Sequence, residues 1–323
     1  MNDQPKIKAL APWFGGKRTL APVIIAELGK HSAYWEPFCG SCAVLMAKGA
    51  AAMETVNDLH GDLVNLARVV ASDHYAELAE RLGRTYMADE LFTESKTVLA
   101  GTEPFAPAPS VGAVDAGHVE RAYWYMINSW QGRNGVSGTS QTNITVATRY
   151  TSNGGSGGFR WRSAVDSVPA WHSRLKAVHI KNMDGVTMLE RIEDSSRSAI
   201  YVDPPYLVKS NKYIHDLTTE DHQRLASVLQ RFTQTRVVVS YYDDPRLADL
   251  YPSDKWTKRD VAFRKGLSNT SLNRKGAVSK APEVLLINGP SYAKTRDESS
   301  LFEPSPVASC HLPVARATKR SST

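Results

Sequence analysis

Cysteine is scarce in this chain: there are three among 323 residues, and two of them form one Cys39-x-x-Cys42 pair. So few thiols exclude a disulfide framework and fit a reducing compartment. No apolar run is long enough to span a bilayer, and no signal peptide is recognisable, so a cytoplasmic protein without a membrane partner is expected. Zinc needs four ligands, and the third cysteine, Cys310, lies far away in a polar tail. No metal is therefore expected, and Cys39 and Cys42 read as small packing residues. A G-x-G-x-x-G fingerprint and a Walker lysine motif are both missing, which sets nicotinamide-dependent dehydrogenases and P-loop enzymes aside. Internal repeats are absent too. Acidic residues are outnumbered, giving a net charge of +6. That balance suits a polyanionic partner without requiring one.

What is present centres on Asp203-Pro204-Pro205-Tyr206. The apolar run Ala199-Ile200-Tyr201-Val202 before it reads as a buried strand of a parallel sheet. A carboxylate at the carboxyl end of such a strand points into the crevice where open α/β sheets bind ligands. The two prolines stiffen the turn and remove two N–H donors, leaving carbonyl oxygens as acceptors. With Tyr206 as a flat wall, the tetrapeptide forms a cup for a planar ring bearing an exocyclic amine.

Three other segments add to it. Tyr34 to Val44 runs from an aromatic strand through Glu36-Pro37-Phe38-Cys39-Gly40-Ser41-Cys42 into a helix-compatible stretch, Ala43 to Ala52. This is the layout of a first βα turn, where small residues let a ligand approach the backbone. Asp58 closes the next short strand, about 20 positions on, where a carboxylate commonly holds a ribose hydroxyl pair. Near the N-terminus, Pro12-Trp13-Phe14-Gly15-Gly16-Lys17 offers a stacking face, a tight turn and a cation.

Together these motifs resemble the D12 class of DNA adenine-N6 methyltransferases, the group containing the Dam methylases. The resemblance runs from about Ala11 to about Gly289 and is weak in the middle. It implies S-adenosylmethionine as methyl donor and adenine in double-stranded DNA as acceptor. It also implies that Trp13, Lys17, Phe38, Gly40, Asp58, Asp184 and Asp203 contact the cofactor. Asp203, Pro204, Pro205 and Tyr206 would form the catalytic site, with Asp203 and the Pro204 carbonyl gripping the target amine and Tyr206 stacking on the base. One departure stands out: Cys42 occupies the position of the family's second turn glycine. If that position needs a positive φ, a side chain there carries a cost.

These residue types suit the chemistry. The N6 lone pair of adenine is delocalised into the ring, so the amine is a poor nucleophile. Two acceptors on its hydrogens favour a more tetrahedral nitrogen aimed at the methyl donor. The base is unreachable inside a duplex and must be flipped out.

The expected fold is α/β: a Rossmann-like methyltransferase sheet with an inserted, mainly helical target-recognition domain. Residues 1–71 and 178–290 are assigned to the catalytic domain, 72–177 to target recognition, and 291–323 to a flexible tail. Helices are expected over Thr19–Leu28, Gly61–Val70, Val119–Trp130 and Thr219–Phe232, with an amphipathic helical stretch from Ser72 to Leu99. Strands are expected at Arg236–Ser240 and Val284–Asn288. The Gly-, Ser- and Asn-rich stretch Gln131–Arg162 reads as long loops. Within it Arg133, Asn134, Arg160 and Arg162 are the candidate DNA contacts, together with Arg174 for phosphates. A second basic cluster, Lys255 to Lys275, reads as a DNA-facing loop or a solvated surface. Two alternatives stay open: an inactive methyltransferase fold that only binds DNA, and a methyltransferase acting on an RNA base or a protein amide.

Overall fold

A computed structural model describes residues 7–100, 105–132, 137, 145–147, 155–207, 214–264 and 280–292. Met1–Ala293 forms one compact unit, and Lys294–Thr323 lies outside the described residues. The expected tail lies outside them too, apart from Ser291 and Tyr292. Those two bind the buried Glu27 carboxylate, through the Ser291 hydroxyl at 2.5 Å and the Tyr292 N–H at 2.9 Å.

A seven-stranded mixed sheet organises this unit. Its strands are β1 (Ala33–Glu36), β2 (Met53–Asn57), β3 (His179–Lys181), β4 (Ser198–Val202), β5 (Arg236–Tyr242), β6 (Trp256–Arg264) and β7 (Lys280–Asn288), in the order β3-β2-β1-β4-β5-β7-β6. The first five are parallel, and β7 runs antiparallel between β5 and β6. Alternation along the central strands sends side chains to two different layers. From β4, Ala199 and Tyr201 enter one hydrophobic cluster while Ile200 and Val202 enter the other. Both faces are covered, so Ser198–Val202 is buried throughout, as its apolar run implies.

The first layer holds α1 (Ala21–Leu28), α2 (Ala43–Ala47) and α3 (Gly61–Ala71), along with α4 (Tyr75–Gly83), α6 (Ala116–Gln131), α7 (Gly157–Val165) and α8 (Val168–Leu175). α5 (Asp89–Ala100) packs on α6. The second layer holds α9 (Gly185–Glu190), α10 (Thr219–Gln230) and α11 (Leu247–Leu250). Local signals explain several helix starts. A proline sits in the first turn of α1, and capping boxes Asp115/His118 and Thr218/Asp221 open α6 and α10. The aromatic residues of α6 are core: Tyr123, Trp124, Tyr125 and Trp130 are all buried.

The structure corrects several expectations. The helix after the first turn ends at Ala47, where Lys48 goes extended, rather than reaching Ala52. Ser72–Leu99 is two helices, α4 and α5, separated at residues 84–88. α7 occupies part of the stretch read as loop; Ser156 caps it through the Phe159 N–H, which glycine content had masked. Part of the second basic cluster is not a loop: Trp256–Arg264 pairs along its length with β7, while residues 265–275 lie outside the described residues. Two of the cluster's cations have intramolecular partners, Lys258 on Asp243 and Arg259 on Glu27. Arg174 is likewise held by Glu54 rather than turned to a phosphate. Among the described residues no helix is long and apolar enough to cross a membrane.

Candidate active site

Strand order places the site. β1 and β4 are neighbours whose chain connections leave in opposite directions, to β2 on one side and β5 on the other. A crevice opens at such a switch point beyond the carboxyl ends of the strands. The register aligns Trp35 of β1 with Ile200 of β4, and Glu36 with Val56 of β2. Three chain segments therefore leave the sheet side by side: Pro37–Ser41, Asp58–His60 and Asp203–Pro205.

A cleft enclosing about 930 Å³, including the open space at its mouth, is lined by all of them. Trp13 to Lys17, Asp184 and Gly185, and His215 to Leu217 complete the lining. The structure thus brings Trp13, Lys17, Phe38, Gly40, Asp58, Asp184, Asp203, Pro204 and Pro205 to one cavity. Leu59, His60 and the His215–Leu217 segment also line it, and sequence reasoning had not singled them out. Arg133 and Asn134 lie outside the described residues. Arg160 and Arg162 belong to α7 and do not line this cleft; Arg162 is exposed and Arg160 half-buried.

The turn after β1 is tightly wound. Gly40 has φ of 45° and needs glycine for a second reason too, because a Cβ there would lie 2.7 Å from the Trp13 indole nitrogen. Its N–H donates to Asp58 Oδ2 at 2.8 Å, and the His60 N–H donates to Asp58 Oδ1 at 2.9 Å. The carboxylate is fixed at the end of β2 by two backbone donors, and each oxygen retains a further lone pair for a ligand hydroxyl. Asn57 ties this turn to the next, donating to the carbonyls of Pro37 and Met183. Asp184 caps α9 by accepting the Thr187 N–H at 2.7 Å, and Gly185 lets the Phe38 ring pack against its backbone.

Cys42 has φ of 57° and is the non-glycine residue with positive φ among those described. The departure noted in the sequence therefore falls on a position whose backbone favours glycine. Its thiol is buried and lies 3.5 Å from the Cys39 sulfur. That contact and burial push the Cys39 thiol up, away from a reactive thiolate. Among the described residues no group of three or more His, Cys, Asp or Glu is arranged to hold a metal.

At the other end of the cleft, charges are concentrated. Lys17 Nζ lies 2.9 Å from Asp203 Oδ1 and 3.2 Å from Glu283 Oε1, and donates to the Gly15 carbonyl at 2.8 Å. Burial pushes Asp203 up to about 6; Lys17 opposes that shift and Glu283 adds to it. Glu36, buried and hydrogen-bonded by Tyr34 at 2.8 Å, is pushed up to about 8 by burial.

Two residues differ from expectation. Lys17 faces the cleft, but its ammonium is held by carboxylates. Tyr206 does not line the cavity. Its ring is buried against Tyr242, with centroids 4.4 Å apart, and its hydroxyl donates to Glu283 Oε1 at 2.6 Å. In this arrangement the ring is not presented as a stacking wall. Glu283 itself was missed. The signal was a lone carboxylate, flanked by Pro282, at the start of the apolar run Val284–Ile287.

Sheet and site together define an α/β protein whose architecture is consistent with a methyltransferase fold. Residues 13–263 match the family of D12 class N6 adenine-specific DNA methyltransferases, and the chain belongs to that family. No protein of curated function matches the sequence. Among solved structures, SMU.472, a candidate methyltransferase complexed with SAH, is similar at 9% identity with a TM-score of 0.23. The similarity covers 69% of this chain, which spans about half (54%) of that one.

Proposed function

We propose that this protein transfers a methyl group from S-adenosylmethionine to N6 of an adenine flipped out of double-stranded DNA. The observation that carries the reading is the single cleft uniting Asp203–Pro205, the Gly40 turn and Asp58. Family membership supplies the target atom.

The lining fits the cofactor. A carboxylate fixed by backbone donors at the end of β2 suits a ribose diol, and the Gly40 turn presents bare backbone beside the Trp13 indole. Phe38 and Asp184 offer a ring and an acceptor for the cofactor's adenine. Bound S-adenosylmethionine supplies an electrophilic methyl on a sulfonium.

The rest is the work of this chain. The Asp203 carboxylate and the Pro204 carbonyl accept the two N–H hydrogens of the target amine. The turn itself offers no competing backbone N–H, because Pro204 and Pro205 both lack one, and Lys17 meets Asp203 at Oδ1. The acceptors aim the nitrogen lone pair into the cleft, and the carboxylate stabilises positive charge as it develops on nitrogen. Tyr206 is assigned a supporting role through its hydroxyl.

The helices between β2 and β3, α3 to α8, include the segment 72–177 that we assign to target recognition. Exposed Arg162 and the solvent-facing ring of Phe159 border a second cavity there, the exposed Tyr86 ring lies in the chain between its lining residues Thr85 and Met87, and the group suits a nucleic-acid surface. A cytoplasmic location accords with the few free thiols.

Labelled methyl offered with duplex DNA, RNA and protein acceptors tests the reading. Label is expected in duplex DNA. Label confined to RNA or protein would replace the acceptor, and no label in any would reject the activity.

A further inference from the structure

We propose that Glu283 is a charge-balancing, positioning residue: it offsets Lys17, so that the cluster around Asp203 presents net negative charge to a cationic methyl donor. The inference rests on the methyltransferase reading above.

Two carboxylates meet one ammonium: Asp203 lies 2.9 Å and Glu283 3.2 Å from Lys17 Nζ. Lys17 is 6% exposed, and the Asp203 and Glu283 side chains are 20% and 8% exposed. Little water is available to screen them. An ammonium paired with Asp203 alone would form a neutral pair. That is the wrong electrostatics beside a sulfonium, and wrong again beside an amine acquiring positive charge. With both carboxylates ionised the cluster carries one net negative charge.

The geometry also gives Glu283 an orienting role. Glu283 Oε1 accepts from the Tyr206 hydroxyl at 2.6 Å, and that hydroxyl reaches Asp203 Oδ1 at 3.4 Å. Lys17 donates to Oδ1 of Asp203, and the Tyr206 hydroxyl, with its proton on Glu283, sits 3.4 Å from the same oxygen. Glu283 comes from β7, the antiparallel strand, so the strand that breaks the parallel pattern delivers this charge.

Asp203 is surrounded by more than this pair. Glu36 from β1, Tyr201 from β4, Tyr241 from β5 and Tyr206 also act on it electrostatically or by hydrogen bond. Of the carboxylates, Glu283 is the one that also holds the ammonium opposing Asp203.

The test compares a cation with its neutral counterpart. S-adenosylmethionine carries a sulfonium, while S-adenosylhomocysteine has a thioether in its place. Calorimetric affinities for both would be measured with wild type, Glu283→Gln, Lys17→Met and the double variant. Glu283→Gln keeps an acceptor for Tyr206, and S-adenosylhomocysteine affinity reports whether the cleft is intact. We expect Glu283→Gln to lower the preference for the cation by about tenfold, from the loss of one poorly screened charge. Lys17→Met should raise that preference, and the double variant should return it toward wild type. In turnover, Glu283→Gln should also move the rising limb of the pH–rate profile to lower pH, because the charge that adds to the effect of burial on Asp203 is gone. An unchanged preference, or equal weakening of both ligands, would overturn the proposal and leave Glu283 structural. Failure of wild type to bind either ligand would instead reject the cofactor reading on which it rests, and the proposal with it.

Discussion

Lys17 and Asp203, from opposite ends of the recognisable motifs, form a 2.9 Å ion pair at the floor of the cleft. The Gly15-Gly16-Lys17 turn therefore meets the Asp-Pro-Pro turn directly through this pair. Neither residue's environment is predictable from its own motif, since each is defined by the other and by Glu283.

A pH dependence follows from Asp203. The amine-gripping role proposed for it needs the ionised carboxylate, and burial pushes this group up to about 6. Methyl transfer should fall as pH drops through about 6 and reach a plateau above it, where a carboxylate at its ordinary value would hold activity to below pH 5. Single-turnover rates between pH 5 and 8 measure the limb.

Glu36 governs stability in the opposite sense to a paired carboxylate. It ionises near 4.5 as an ordinary group and near 8 here, so between those values the folded state holds the proton and the unfolded state does not. Stability from this group is greatest at low pH and is lost as pH rises from about 4.5 through about 8. Glu36→Gln should flatten that part of the curve. Relative to wild type it should gain on the order of 1–3 kcal/mol at pH 9 compared with pH 5. Denaturant melts at the two pH values give the difference, and a constant offset would contradict the assignment.

The Cys42 backbone gives a test that separates strain from side-chain chemistry. Ala and Gly at position 42 both remove the thiol, but only Gly relieves a φ of 57°. Cys42→Gly should be more stable than Cys42→Ala by about 1 kcal/mol, reversing the usual cost of glycine. Equal stability would mean that the turn relaxes.

Gly40 is the sharper case. Its φ is 45°, and a Cβ would meet the Trp13 indole at 2.7–3.1 Å. Gly40→Ala should displace that ring, lower stability by about 1–3 kcal/mol and weaken S-adenosylmethionine binding. Retained affinity would show that the Trp13–Gly40 contact is not part of the cofactor end.

Much of this was legible because strong local signals coincide with the sheet's centre. Ala199–Val202 and Arg236–Ser240 are apolar runs bounded by turn residues, and the turns after β1, β2 and β4 carry the motif residues themselves. Other features were not legible. β6 is an edge strand with one solvent-facing side, so its Lys and Arg residues disguised it as a basic loop until β7 paired with it. α7 begins in a glycine-rich stretch, where the Ser156 cap and the buried Trp161 outweigh low propensity. Tyr206 reads as a platform from its tetrapeptide alone. Its burial depends on Glu283 and Tyr242, which only tertiary structure brings near.

The most direct measurement of the central claim is nucleoside analysis of duplex DNA incubated with labelled S-adenosylmethionine and either wild type or Asp203→Asn. The account predicts N6-methyladenine from wild type and a loss of at least about 100-fold from the variant, which still binds cofactor. Label on another nucleoside, or N6-methyladenine formed equally by Asp203→Asn, would contradict it.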